Sequence, residues 1–288
     1  MAYANRRRGG VFLKQGSAIP GLALAGGTAL LYFSLLVLLP IGVLVFRATE
    51  LGFAGIVALA SEPRVSAALR TSFFLALAAG AFNAMFGAIL AWVLVRYEFP
   101  GRRIVDAAID LPFALPTAVA GISLATLYAP QGWLGAVFAP FNWPIAFTRT
   151  GIFIALVFVG LPFVVRTVQP VLLALQHDVE EAAATLGARR ITILRRIVMP
   201  PLLPAILTGF ALASARGIGE YGSVIFIAGN LPFVSEIAPL LIVIKLEEYD
   251  VNGAVVIAFI MLCLSLAFLL LINGFQAHLR RRLGHVSG

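Results

Sequence analysis

The sequence contains several apolar runs longer than twenty residues, and nothing in them alternates between apolar and polar positions. In water such runs have no stable home. In a bilayer they must satisfy every backbone N–H and C=O internally, which leaves the α-helix or the closed β-barrel. Barrel strands need about ten residues of strict alternation, so the barrel is excluded. Each run meets the roughly twenty residues that a helix needs to cross the hydrocarbon core. Of 288 residues, 61% are hydrophobic and only 12% charged, against about 25% charged in soluble domains. The chain is therefore expected to be all-α and polytopic.

Six spans are predicted, at Gly21–Phe46, Val65–Val95, Ile104–Ala129, Gly151–Leu175, Leu202–Ala228 and Ala254–Phe275. The first follows Arg6, Arg7 and Arg8, as the apolar part of a signal peptide would, but it is too long for one and more spans follow. The net charge of +8 reads as topology and lipid contact rather than nucleic-acid binding, because the basic residues cluster beside the spans. With the N-terminus inside, cytoplasmic segments hold Arg6, Arg7, Arg8, Lys14, Arg96, Arg102, Arg103, Arg189, Arg190, Arg195, Arg196, Arg280, Arg281 and Arg282. The opposite side holds only Arg47, Arg64, Arg70, Arg149 and Lys245. This bias predicts that both termini are cytoplasmic.

Between the fourth and fifth spans lies the longest polar interval of the second half, Asp178–Pro200. Asp178 followed by Glu181 has capping-box spacing and predicts a helix start. Ala182, Ala183, Ala184 and Leu186 favour helix, and Gly187 suits a left-handed stop. A second helical run is expected over 188–199, with Pro200, Pro201 and Pro204 punctuating the entry into the next span. A capped double helix exposed between two spans suits a protein partner. Outside the membrane, Gln131–Thr150 carries Trp133, Phe138, Phe141 and Trp143, suited to the interface. Asn230–Asp250, with Glu236, Glu247, Glu248 and Asp250, reads as a solvated loop.

Two spans depart from plain lipid-facing helix. The third opens with Asp106 and Asp110 on one face and continues into LPFALP, with Pro112 and Pro116. Such prolines are tolerated where a helix is buried in protein or lines a wet cavity. The fifth carries small residues at Gly209, Ala213 and Gly217, with Ala211, Ala215 and Gly219 on a second strip, the pattern of close helix packing. It also holds Arg216 and Glu220 at i, i+4 spacing, able to neutralise each other. Arg216 is open to two roles, contact with an oxyanion or pairing with Glu220. Pairing is preferred, since a paired arginine offers a dianion little net charge. Arg166, between Pro162 and Pro170, faces the same choice and is a partner for Asp110.

Enzyme chemistry has no visible set of residues. There is no P-loop behind either lysine, no HExxH, no GxSxG, and His177, His278 and His285 are dispersed. Cys263 is the single cysteine and reads as packing.

Glu181-Ala182-Ala183, then Gly187, Ile197 and Pro200, fit the pattern EAA-x3-G-x9-I-x-L-P with Met199 in place of Leu. This resembles the coupling motif of bacterial ABC importer permeases. Leu111–Ile122, the run from Arg216 onward (RGIGEYGSVIFIAGNLP) and PLLIVIKLEEYDVNGAVVIA resemble the T-subunit family of sulfate/thiosulfate importers. The resemblance implies a type I ABC importer permease fold with six transmembrane helices. Residues 1–64 would form the cytoplasmic N-terminus, first span and external segment, 65–275 the permease core with coupling loop 178–200, and 276–288 a basic tail. It implies that Glu180, Glu181, Ala182, Ala183, Gly187, Ile197 and Pro200 dock on a separate ABC ATPase dimer, which binds ATP and Mg2+, while this chain binds no cofactor. It implies a homologous W-type permease partner and an external sulfate-binding protein. Arg216, Glu220, Tyr221, Arg166 and Asp110 are the candidates for the translocation path or intramembrane pairing. Molybdate or tungstate is the nearest substrate alternative, and a channel-like or structural membrane protein the alternative class.

Overall fold

The computed structural model describes residues 22–175 and 177–283, and among these the regular structure is helical throughout. The basic positions Arg6, Arg7, Arg8 and Lys14 lie outside the described residues, as do residues 284–288 of the tail. The chain divides into two units, Met1–Glu50 and Leu51–Gly288. The first contributes one long apolar helix, α1 (Leu24–Glu50). The second contains α2 (Gly52–Ala60), α3 (Pro63–Arg96), α4 (Arg102–Ile109), α5 (Leu111–Ala114), α6 (Thr117–Tyr128), α7 (Gly135–Phe138) and α8 (Arg149–Ala174). It continues with α9 (His177–Thr185), α10 (Arg190–Ile218), α11 (Val224–Ile227), α12 (Ala238–Glu247) and α13 (Val251–Leu283).

Five of these helices, α1, α3, α8, α10 and α13, are long and apolar enough to cross a membrane. The third apolar segment, read from sequence as Ile104–Ala129, is helical but divided into α4, α5 and α6. The breaks have local causes. The peptide at Asp110 turns its N–H to the carbonyls of Ala107 and Ala108, ending α4. Leu115 is extended, at φ −85° and ψ 135°, because a residue that precedes proline is driven out of the helical region by the ring.

Proline has the opposite outcome in α10. The expected second helix over 188–199 does not end at Pro200 but runs on as one helix from Arg190 to Ile218. A π turn over Leu194–Val198 makes this possible, with the Met199 N–H reaching back to the Leu194 carbonyl. The widened turn comes one residue before Pro200, where a ring would otherwise press on the preceding turn. The same device recurs in α1, where a π turn over Ser34–Leu38 precedes Pro40 and Leu39 donates to the Ser34 carbonyl.

The core of the second unit is the mutual packing of α3, α8 and α10. The predicted strip on α10 lies at this contact. A Cβ added at Gly209 would stand 2.7 Å from Val164 Cα, and one at Gly217 would stand 3.3 Å from Ala76 Cβ. Ala213 in turn sits against Gly160. Backbones approach closely because no side chain intervenes, and dispersion replaces the hydrophobic drive that lipid cannot supply. The second strip is less used: Ala211 is buried, but a Cβ at Gly219 meets nothing within 4 Å. Apolar side chains fill both ends of the contact, with Leu75, Ile152 and Leu156 at one and Leu94, Val165 and Leu172 at the other.

The segment Asn230–Asp250 is not a solvated loop. Glu236 is 2% exposed and receives a two-pronged hydrogen bond from Arg64, Nε at 3.0 Å and Nη2 at 2.7 Å. The Ala238 N–H donates to Ser72 Oγ at 2.8 Å, and α12 buries Leu240 and Leu241. Arg149 donates to the carbonyls of Phe233 and Val234. Beyond α12, Gly253 N–H and the Lys245 ammonium hold the Asp250 carboxyl below the usual carboxylate range. Of the acidic residues that read as a solvated face, Glu236 is therefore a tie between elements, whereas Glu247 and Glu248 are exposed.

Glycines on α10 should separate by position. Gly209→Ala is expected to lower stability by about 1–3 kcal/mol through overpacking. Gly219→Ala should stay within about 0.5 kcal/mol. Unfolding of the purified chain in detergent reads both, and equal effects would contradict the close crossing.

Candidate functional site

The polar interval after α8 folds into a defined exposed element. Helix α9 begins at His177, one residue ahead of the predicted Asp178, with Asp178 and Glu180 in its first turn, where the helix dipole favours acids. Its end is a Schellman motif: Ala188 N–H bonds to the Ala183 carbonyl at 3.0 Å and Gly187 N–H to the Ala184 carbonyl at 2.9 Å. Gly187 takes φ +82°, a conformation that costs a residue with a Cβ roughly 1–2 kcal/mol. No heavy atom lies within 4 Å of its missing Cβ, so glycine is required here by backbone strain and not by space.

The motif positions separate into two sets. Ala182 and Glu181 are exposed and Ala183 is half-buried, while Ile197 and Pro200 are half-buried where the π turn passes into the span. Val179, Ala182 and Leu186 lie at i, i+3 and i+7 and form an apolar stripe on α9. Leu186 is 89% exposed. Sequence reasoning took Leu186 as a helix former and missed it as surface. The signal was its place directly before the stop glycine, where no helix remains to cover it.

Glu180 faces inward instead. Its carboxylate pairs with Arg96 Nη2 at 2.5 Å, both side chains being largely buried. The same Nη2 reaches the Leu175 carbonyl at 3.3 Å, and the guanidinium stacks over Trp92 with its carbon 5.7 Å from the ring centroid. Arg96 is the last residue of α3, so this contact ties α9 and the end of α8 to the central helix bundle. Arg96 figured in the sequence reading only as a topology marker.

Arg166 is fully engaged. Its Nε and Nη2 take the two oxygens of Asp110 at 2.9 and 2.5 Å. Its Nη1 donates to Asp106 Oδ1 at 2.7 Å and Gln169 Oε1 at 2.6 Å, and Nη2 also reaches the Asp106 carbonyl at 2.9 Å. Gln169 Nε2 donates to Asp106 at 3.0 Å. All five N–H donors of the guanidinium are used, so the cluster clamps α4 to α8 and carries one net negative charge. No donor remains for an anion.

Arg216 pairs with Glu220 through Nη1 and Oε2. Glu220 is 1% exposed and its other oxygen accepts from Ser223 N–H at 2.9 Å and Ser223 Oγ at 2.8 Å. The carboxylate is thus compensated on both sides. Tyr221 is half-buried against the apolar cluster of α3, α8 and α13. The two arginines do not share a site. Gly217 packs near Leu156 and Gly209 near Val164, so Arg166 lies about ten residues further along α8 than the level of Arg216, roughly 15 Å at helical rise.

The fold is that of known importers. It is similar to a chain of a bacterial ABC transporter involved in the import of the acidic polysaccharide alginate, with a TM-score of 0.73 and 14% identity over 90% of this chain and 96% of that one. Residues 83–285 match the family described as the inner membrane component of binding-protein-dependent transport systems. The sulfate transport system permease protein CysT of Synechocystis sp. is 50% identical over 88% of both chains. That of Escherichia coli is 44% identical over 93% of this chain and 97% of its own. The chain belongs to this family of ABC importer permeases, in its CysT sulfate-permease branch.

Replacing Arg216 alone leaves Glu220 buried without its cation. Arg216→Gln is expected to cost up to about 3 kcal/mol, the low end for a buried pair because part of the arginine is exposed. Arg216→Gln/Glu220→Gln should recover most of that loss in the same unfolding measurement, and no recovery would contradict pairing as the role.

Proposed function

We propose that the chain is the T-type permease subunit of an ATP-driven sulfate or thiosulfate importer in a bacterial inner membrane, with both termini cytoplasmic. The observation that carries the coupling role is α9. Its apolar stripe ends in an exposed Leu186, its stop is fixed by Gly187, and Glu180 ties it to α3 through Arg96. An exposed apolar stripe on a rigidly held helix fits a cleft on a separate ATPase dimer. ATP and Mg2+ belong to that dimer, and this chain contributes no nucleotide site. A W-type permease completes the membrane part as a heterodimer, and an external sulfate-binding protein delivers the anion.

The energetics favour a pump. Bringing a dianion in against an inside-negative potential costs about 2.3 kcal/mol per charge per 100 mV, hence roughly 4.6 kcal/mol before any gradient. Closure of the ATPase dimer moves α9, and the Glu180–Arg96 contact passes that movement to α3 and its packed neighbours. Arg166 and Arg216 serve as structural clamps, so selection between sulfate and molybdate rests mainly with the binding protein.

Gly187→Val tests the coupling role. The variant should insert and fold normally yet lose ATP-driven uptake of radiolabelled sulfate by tenfold or more in proteoliposomes carrying all subunits. Unchanged uptake would contradict the docking of α9. Molybdate competing as well as sulfate would move the substrate assignment.

A further inference from the structure

A groove of about 1240 Å3 opens between α3 and α10. Met85, Ile89 and Trp92 line one wall and Leu203, Ile206 and Phe210 the other. It extends on α3 from Ala81 to Arg96, about 22 Å at helical rise, which exceeds the roughly 15 Å depth of one leaflet's hydrocarbon. One end is chemically distinct: Arg96, Tyr97, Glu180 and Arg190 all line it. Arg96 and Glu180 neutralise each other, whereas Arg190 is exposed and forms no ion pair among the described residues. The groove thus combines an apolar trough with a single uncompensated guanidinium at one mouth, beside an indole and a phenol of the kind that settle at headgroup depth.

We propose that this groove binds an anionic glycerophospholipid, with an acyl chain along the α3–α10 trough and the phosphate diester on Arg190. A phosphate oxygen accepts charge-assisted hydrogen bonds from a guanidinium, and basic pockets between helices at a membrane face hold anionic headgroups. An apolar helix of a partner subunit would fill the trough but leave the Arg190 charge unmatched. The inference rests on the reading that places the α9 end of the groove at the cytoplasmic face. A bound lipid at this position would stand directly against the Glu180–Arg96 tie and make its environment depend on membrane composition.

Trp92 is a built-in reporter. In the full-length chain with Trp133→Phe and Trp143→Phe, its fluorescence is measured in mixed vesicles. In one set the phosphatidylglycerol is brominated, and in the other the phosphatidylcholine. The expected result is about fivefold stronger association of phosphatidylglycerol at low salt, the effect of one basic residue near the surface. Arg190→Gln should abolish that preference while leaving quenching by phosphatidylcholine intact, which also reports a folded groove. Arg103→Gln, an exposed arginine outside the groove, should change nothing. Equal quenching by both lipids, a preference that survives Arg190→Gln, or no quenching of Trp92 by either lipid would each overturn the proposal. The measurement needs no transport, so an importer that fails to carry sulfate leaves this outcome readable.

Discussion

The close crossing of α10 with α3 and α8 is the constraint on which the rest of the second unit depends. Gly209, Ala213 and Gly217 remove side chains from the contact, so backbones meet where lipid offers no hydrophobic reward for association. Because the contact is made by backbone and methyl groups, displacement of one helix must be felt by the other two. The polar groups placed around it follow from that geometry. Glu220 is buried beside Gly217 and compensated by Arg216 and Ser223, and Arg64 holds Glu236 against the start of α3. The crossing also contains buried polar atoms without a partner, Asn83 Oδ1 and Ser214 Oγ.

Attached to this bundle are two elements held by ion pairs instead of apolar packing alone. At one place Arg166 gathers Asp106, Asp110 and Gln169, fixing the broken α4–α6 segment to α8. At another, Arg96 ties the start of α9 to the end of α3. Charge-assisted hydrogen bonds suit these positions because they are directional and short. Arg96 and Arg166 thus act as joints, and the two candidates for anion contact in the spans, Arg166 and Arg216, are both occupied by carboxylates.

Much of this was legible in the sequence, and the parts that were not have physical reasons. Apolar length set the helices, and the spacing of small residues on α10 located its packing face. The i, i+4 spacing of Arg216 and Glu220 located their pair. Gly187 was readable as a left-handed stop because few other residues tolerate that φ. Proline was ambiguous: Pro116 breaks its segment, whereas Pro200 does not, because a π turn ahead of it absorbs the ring. Glu236 looked solvated because its partner, Arg64, is 172 positions away in sequence, and the bonds from Arg149 to the Phe233 and Val234 carbonyls span about 84. Local pattern carries no information on such pairings. The same holds for Arg96, whose partner Glu180 lies 84 residues on.

The most direct measurement concerns that last contact, since it joins the exposed helix to the bundle. In proteoliposomes with the partner subunits, sulfate uptake and ATP hydrolysis are followed for Arg96→Glu, Glu180→Arg and the combined exchange. Each single variant should lose most uptake while ATP hydrolysis persists, and the exchange should restore a substantial part of it. Single variants that transport at the unaltered rate would contradict a coupling path through Arg96 and Glu180.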